Sequence, residues 1–376
     1  MSLYVLKFGG SSVATLNRIN NVANIIASLK KNNNNVIVVT SAMHGVTDKL
    51  LAYTRDFNIN NYNESYYRES DAIVSCGESI AAGILSLALQ SIGFKSKSFN
   101  SWQIPIEASS DHSNANITNI NTNKLIDALD NDVIPVITGF QGLSPNNDIV
   151  TLGRGGSDAT ACALAYYTNA DECYIYTDVS GVFTADPRIV TNAKILNYIS
   201  YDEMLELAKY GAKVLQYKSV LFAKQYNVKT RVLSSFSNSD HSTLVTNKTQ
   251  YINNKGIAGI AHSINYISLN TKSNIESIIN KYEIIDINNN NYLVKKNVIN
   301  DIMNLIEDDY KIDNDIGIIT VVGNNICNIT SNLTNILNKN NISIKYINIE
   351  EMSVTYIVHL SQTEIVLDIL HNYIYN

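Results

Sequence analysis

Six short stretches hold the charged and glycine-rich residues able to do chemistry. The first is KFGGSS, Lys7 to Ser12. Gly9 and Gly10 can turn backbone N–H groups toward a phosphate, a helix opening at Ser11 would add partial positive charge, and Lys7 adds a full one. The same Gly-Gly pair serves a tight turn equally well. The spacing is neither the P-loop G-x-x-x-x-G-K-[ST] nor the dinucleotide G-x-G-x-x-G. In SAMHGVTDKL (41–50) the hydroxyls of Ser41 and Thr47 can meet a ligand, while Thr47 or Asp48 can cap the next helix. In SCGESIAAG (75–83) Glu78 stands in the first turn of a helix of small residues, as a capping carboxylate or as the partner of a substrate ammonium group. TLGRGGSDATACALA (151–165) sets Arg154 and Asp158 among Gly153, Gly155 and Gly156. Arg154 can fork onto a carboxylate, and Asp158 can orient lysines or hold a metal through water. A helix cap accounts for Ser157 or Asp158 but not for Arg154 and three glycines. YTDVSGVFTADPRIV (176–190) carries Asp178, Asp186 and Arg188 around Gly181 and Pro187, a polar loop suited to a nucleotide's base and ribose. The sixth stretch, YDEMLELAKYGAKVLQYKSV (201–220), reads as one helix with Lys213 following Gly211.

Of the six histidines only His44 falls in a cluster. Serine and cysteine nucleophiles ordinarily need a histidine base. A carboxylate attacking a phosphoryl group needs none, because it is already ionised at neutral pH. That reaction needs positioning and cations, and Lys7, Arg154 and Lys213 supply cations.

The elements that must position these residues alternate. Strand-like LYVLKF (3–8) and VIVVT (36–40) flank a helical pattern at 16–30, and helices at 78–92 and 122–130 are followed by strand-like runs at 94–99 and 133–140. The helix after Ser157 leads to ECYIYTDV at 172–179. This order implies an α/β three-layer sandwich with a largely parallel central sheet. Ligands in such sheets sit at the carboxyl ends of the strands, where the clusters fall. Beyond about residue 235 the glycine clusters stop. A β-α-β-β-α order then occurs twice, weakly over 264–307 and clearly over 317–373, which reads as a ferredoxin-like repeat.

Composition narrows the class. The 376-residue chain is 45% hydrophobic with a net charge of −6, and its pI near 5.5 disfavours nucleic acid as a partner. The four cysteines form no C-x-x-C pair and read as buried reduced thiols. Short asparagine runs such as 32–35 read as compositional drift in loops. The sequence reading finds no apolar run of the ~18 residues a membrane span needs and no signal-peptide pattern, and the expectation is a cytoplasmic protein with no membrane partner.

Taken in order, the clusters resemble the aspartate kinase family within the amino-acid-kinase superfamily. The resemblance rests on KFGGSS, SAM with Thr47, the CGES turn at 76–79, WQIPI at 102–106, GFQG at 139–142, TLGRGGSDATA at 151–161, YTDVSGVFTADPR at 176–188 and EMLELAKYGAKVLQ at 203–216. It implies an amino-acid-kinase fold over 1–240, a degenerate or shortened ACT domain over 250–312 and an ACT domain over 313–376. It also implies ATP-dependent phosphorylation of the side-chain carboxylate of L-aspartate, toward lysine, diaminopimelate, threonine and methionine. By the same resemblance Lys7, Asp158 and Lys213 are catalytic. Gly9, Gly10, Ser11, Ser157, Thr177, Asp178, Phe183, Asp186 and Arg188 join Lys7 and Lys213 at ATP. Ser41, Thr47, Glu78, Arg154, Gly155 and Gly156 take the substrate. Mg2+ arrives with ATP, with no protein metal site. Lysine or threonine is the implied effector, and a homodimer or homotetramer through ACT domains the implied assembly. Two departures stand out: Phe183 replaces a common tyrosine, and neither ACT block has the Pro-Gly turn of the family's effector site. Weak or lost feedback inhibition is therefore expected. A kinase for another acidic metabolite, or a non-catalytic ACT sensor, are the competing readings. Within the first, which includes glutamate and N-acetylglutamate, Glu78 with Arg154 favours a free amino acid with ammonium and carboxylate both intact, and the retained Lys7, Asp158 and Lys213 disfavour the second.

Overall fold

The computed structural model describes residues 2–57, 63–212, 214–237, 241–273, 275–287, 290–306 and 309–376. Lys213 lies outside the described residues. The chain divides into two compact units. One comprises Met1–Val182, Asn197–Leu205 and Lys213–Thr249, the other Phe183–Leu196, Glu206–Ala212 and Gln250–Asn376.

The first unit is built on an eight-stranded sheet. In spatial order its strands are Tyr198–Ser200, Thr243–Thr246, Thr230–Ser234, Glu172–Thr177, Leu3–Phe8, Asn35–Thr40, Ile134–Thr138 and Ser96–Phe99. Every neighbouring pair is parallel except Thr230–Ser234 with Thr243–Thr246. The central strands are continuous apolar runs because both faces are covered: Val5, Leu6, Phe8 and Val36 to Val39 are fully buried. Each such side chain contributes about 1.5–3 kcal/mol by leaving water. Register brings Phe8 beside both Thr40 and Tyr176, and Thr40 beside Thr138. Four loops therefore leave one edge of the sheet together. Stacking of Phe8 on Tyr176, with ring centroids 4.6 Å apart, packs that edge. A second sheet of four short strands, Ile117–Ile120, Ile106–Ala108, Gln141–Leu143 and Ile149–Thr151, completes the unit.

Two expectations change here. The helix after KFGGSS does not open at Ser11. Residues 10–14 form a turn, and the helix Leu16–Lys31 begins at the N-cap Thr15, whose hydroxyl accepts from Arg18 N–H. The helical stretch Glu64–Ser91 spans 28 residues with a mean hydropathy of 1.8 in its best window, long and apolar enough by composition to cross a membrane. This corrects the reading that no such run exists. Half of that window is buried in the protein, with Ala81, Ala82, Leu85 and Leu89 in the core. Packing against the sheet accounts for its apolarity.

The second unit holds two antiparallel four-stranded sheets. Gly317–Gly323, Ile344–Ile349 and Ser353–Val358 pair with Ile257–Ser263, so a strand that precedes the first repeat completes the sheet of the second. The first repeat folds as its own sheet of Ile285–Asp286, Asn291–Lys295, Tyr266–Thr271 and Tyr310–Asp313, over a core that includes Leu269, Val294 and Ile302. The region read as one helix over 201–220 is two, Tyr201–Lys209 and Tyr217–Gln225. Gly211 breaks it with φ +120°, where a Cβ would meet the His262 carbonyl oxygen at 2.6 Å. Cys162 and Cys173 are buried and free, but Cys76 and Cys327 are exposed, so only half of the thiols sit in cores.

Candidate functional site

A cavity of about 680 Å3 opens in the first unit where the strand-end loops converge, within the usual range for small-molecule sites. Its wall begins at Lys7, the penultimate residue of the strand Leu3–Phe8. Lys7 Nζ lies 2.5 Å from Asp158 Oδ1, with both side chains almost wholly buried. Asp158 Oδ1 makes no hydrogen bond of acceptable angle, so this is a charge contact rather than a directional bond. The next turn is closed by Ser12 N–H donating to Gly9 O at 2.9 Å. A Cβ on Gly10 would lie 2.9 Å from the Ala42 carbonyl oxygen, so the loop can pack against 41–43 only with glycine there.

Ser41 and Thr47 line the cavity. The helix Val46–Arg55 is capped by Gly45 at φ +76°, without a side-chain bond. Neither Thr47 nor Asp48 is the cap, which leaves both side chains in the first turn. Glu78 likewise is no simple cap. Its Oε1 accepts from Ala42 N–H across the cavity floor at 3.0 Å, and its Oε2 is buried with no partner. Burial raises its carboxyl group from 4.5 to about 7 against the opposing pull of the Ala42 N–H. A buried carboxylate with one oxygen held and one free is a receptor for a cation.

The stretch 151–158 forms the opposite wall. Gly153 and Gly155 adopt φ +73° and +74°, and Gly155 is the N-cap of the helix Gly156–Tyr167. Capping is therefore not the work of Ser157 or Asp158, which both line the cavity beside Gly155 and Gly156. A Cβ on Gly156 would press Leu152 Cβ at 2.8 Å and Phe140 at 2.9 Å. Arg154, between two left-handed glycines, is exposed at the mouth and makes no ion pair among the described residues.

Residues 2–234 match the amino acid kinase family. The chain is 37% identical to the aspartokinase of Rickettsia felis over 398 aligned positions, covering 99% of each chain. It is 44% identical to aspartokinase 2 of Bacillus subtilis over 261, covering 69% of this chain and 63% of that one. The chain belongs to the aspartokinase family. It is a kinase, and its fold agrees: it superposes on a structure of aspartokinase III from E. coli, solved with aspartate and ADP in the R-state, with TM-score 0.80 and 21% identity over the full length of both.

Not every residue of the aspartokinase motifs is among those lining the cavity. Gly9 and Ser11 sit in the turn after Lys7 without lining the cavity, and Thr177 Oγ1 donates to the exposed Asp178 at 2.9 Å. Phe183, Asp186 and Arg188 belong to the second unit. There Arg188 forks onto Asp186, Nη2 to Oδ2 at 2.6 Å and Nε to Oδ1 at 2.9 Å. That guanidinium holds the Asp186 carboxyl below its usual range. Sequence reasoning passed over Asp71. It lines the cavity but is 2% exposed. Its only signal is a charge at helical spacing from Val74 and Glu78, which one sequence cannot separate from a surface position.

Proposed function

We propose that this cavity binds L-aspartate with its ammonium group on Glu78 and a carboxylate on Arg154, and presents the side-chain carboxylate to the γ-phosphate of ATP near Lys7. The observation that carries the reading is Glu78, a buried carboxylate with one oxygen bonded to Ala42 N–H and the other without a partner. A carboxylate oxygen of aspartate attacks phosphorus, the bond from phosphorus to the β-bridging oxygen breaks, and ADP leaves as 4-phospho-L-aspartate forms. No proton moves, which fits a wall built from cations and glycines rather than a histidine base.

In this reading Lys7 neutralises charge on the transferring group and Asp158 orients it. Gly9, Gly10, Ser11 and Ser157 hold phosphates through short polar groups. Ser41, Thr47, Gly155 and Gly156 shape the amino-acid side. Thr177, Asp178, Phe183, Asp186 and Arg188 serve the nucleotide, and Lys213 joins the phosphoryl side. Mg2+, carried mainly by phosphates and water, supplies further charge neutralisation. Asp158 already commits Oδ1 to Lys7 Nζ at 2.5 Å, so its part is to orient the lysine, and the ligands of the ion are left to phosphate and water. We carry a cytoplasmic location, an ACT-mediated homodimer or homotetramer, and a lysine or threonine effector as parts of the same proposal.

The test compares ADP release with aspartate, glutamate and N-acetylglutamate. Aspartate is expected to dominate, and Lys7→Ala and Asp158→Ala to lower kcat at least ~100-fold with unchanged circular dichroism. Full activity in either variant would refute the assigned roles.

A further inference from the structure

Asp71 is buried at the cavity wall with five hydrogen bonds. Its Oδ1 accepts from Thr151 Oγ1 at 2.7 Å and Ser113 Oγ at 3.1 Å. Its Oδ2 accepts from Ser113 N–H at 2.8 Å and Thr151 N–H at 3.0 Å, with His112 Nδ1 also 3.0 Å away. Only an ionised carboxylate accepts from so many donors at once. Burying this charge costs desolvation, which is offset by the Ser113 and Thr151 donors that would otherwise be left without an acceptor.

The partners lead to the two sides of the substrate. Thr151 opens the stretch that ends in Arg154, and Ser113 supports it: a Cβ on Gly153 would lie 3.0 Å from the Ser113 carbonyl oxygen. Lys218 reinforces the support by bonding both Asn114 Oδ1 and the Leu152 carbonyl. In the other direction, Asp71 sits on the helix Glu64–Val74, which passes through Ser75 into the helix carrying Glu78. That junction is fixed by Gln141 Nε2 donating to Ser75 O at 2.6 Å. Asp71 is thus the tie between the Glu78 helix and the Arg154 loop.

We propose that Asp71 is a positioning residue that sets the spacing between Glu78 and Arg154, and with it the length of the acidic amino acid the cavity accepts. The inference rests on the placement of substrate between those two residues. Asp71 touches no substrate. It holds Thr151 and Ser113, with both backbone N–H bonds on Oδ2 and both hydroxyl bonds on Oδ1; an amide in its place can keep its oxygen on the N–H pair, but it loses the charge and turns an NH2 onto the two hydroxyls that now donate.

The experiment is steady-state kinetics of Asp71→Asn and Thr151→Val with aspartate and glutamate at varied ATP, alongside thermal melts. For Asp71→Asn, the KM for aspartate should rise about tenfold or more while the KM for ATP stays within about twofold. The preference for aspartate over glutamate in kcat/KM should fall by a similar factor. Thr151→Val, which keeps the backbone N–H bond, should move both quantities in the same direction by a few fold. A lower Tm and kcat with unchanged KM and unchanged preference would mean a structural role only, and overturns the proposal. If Asp71→Asn does not fold, Thr151→Val decides by the same two readouts. Arg154→Ala is the control that separates this inference from its parent. A raised KM in Arg154→Ala with none in Asp71→Asn or Thr151→Val sinks the Asp71 role alone. Absence of aspartate turnover by the wild-type protein sinks both.

Discussion

Glu78 shows how one residue ties function to pH. Burial raises its carboxyl group to about 7, whereas an unfolded chain keeps it near the ordinary value. Between the two, the native state holds a proton that the unfolded chain has released. Stability of the unliganded protein is therefore expected to fall as pH rises from about 4.5 to about 7, and to level off above. Aspartate binding should show the opposite trend, because only the ionised carboxylate receives an ammonium group. The kcat/KM for aspartate should rise with pH along an acidic limb centred near 7, with no matching limb in the KM for ATP. In Glu78→Gln that limb should vanish, the KM for aspartate should increase on the order of 10–100-fold, and the stability slope over the same interval should flatten. A limb that persists in the variant would assign the titration to another group. Lys7 belongs to the same scale. Its partner Asp158 is slightly more buried than it is, so removing either leaves an uncompensated charge in the wall.

At the scale of elements, the stretch 151–158 explains its own glycines. Gly155 has φ +74° and a Cβ there would fall 2.3 Å from Gln216 Cβ. Gly155→Ala is expected to cost about 2 kcal/mol, from left-handed strain plus displacement of Gln216, and to raise the KM for aspartate by moving Arg154. Gly83 supplies the contrast: it lies within the helix Cys76–Ser91 with open space around its would-be Cβ. Gly83→Ala should stabilise by about 0.5–1 kcal/mol, and urea midpoints of the two variants should move in opposite directions. The same scale shows what could be read from sequence. Leu3–Phe8, Asn35–Thr40, Glu172–Thr177 and their helices are long and strongly patterned, and the reading places them within a residue or two. Ile257–Ser263 was not anticipated. Its sequence, IAGIAHS, mixes small residues with apolar ones, and its partner Gly317–Gly323 lies over fifty residues away. Asp71 was missed for a related reason, since its value depends on Ser113 and Thr151, which only the tertiary fold brings near. The break at Gly211 was hidden because the residues on both sides form helices well, and a backbone approach to His262 decides the matter.

For the whole molecule, the C-terminal repeats lack a Pro-Gly turn, from which weak feedback is expected: activity at sub-millimolar lysine or threonine should stay close to the uninhibited rate. Strong inhibition by either would overturn that expectation. A sharper consequence follows from where the second unit takes its residues. It includes 183–196 and 206–212, segments inside the stretch that matches the amino acid kinase family. Ala185 and Val190 are buried in one core with Ile257, Ile319, Val321 and Leu367. Thr184 ties in twice, its carbonyl accepting from Ile260 N–H at 2.8 Å and its hydroxyl lying 2.9 Å from His371 Nε2. Farther along, Glu350 accepts from Lys209 Nζ at 2.8 Å and Tyr210 Oη at 2.7 Å, and Glu206 accepts from Ser353 Oγ at 2.8 Å. A fragment ending at 249 keeps the family motifs but loses the core that orders Phe183, Asp186 and Arg188. It should therefore be no working kinase: turnover should be lost, and ATP, which is expected to raise the melting temperature of the full chain, should leave that of the fragment unchanged. The graded version is Val190→Ala, which removes two methyl groups from that core, and His371→Leu, which removes the bond to Thr184. Both should raise the KM for ATP more than the KM for aspartate. An active fragment, or variants that disturb the two substrates equally, would show that the kinase motifs stand without the second unit.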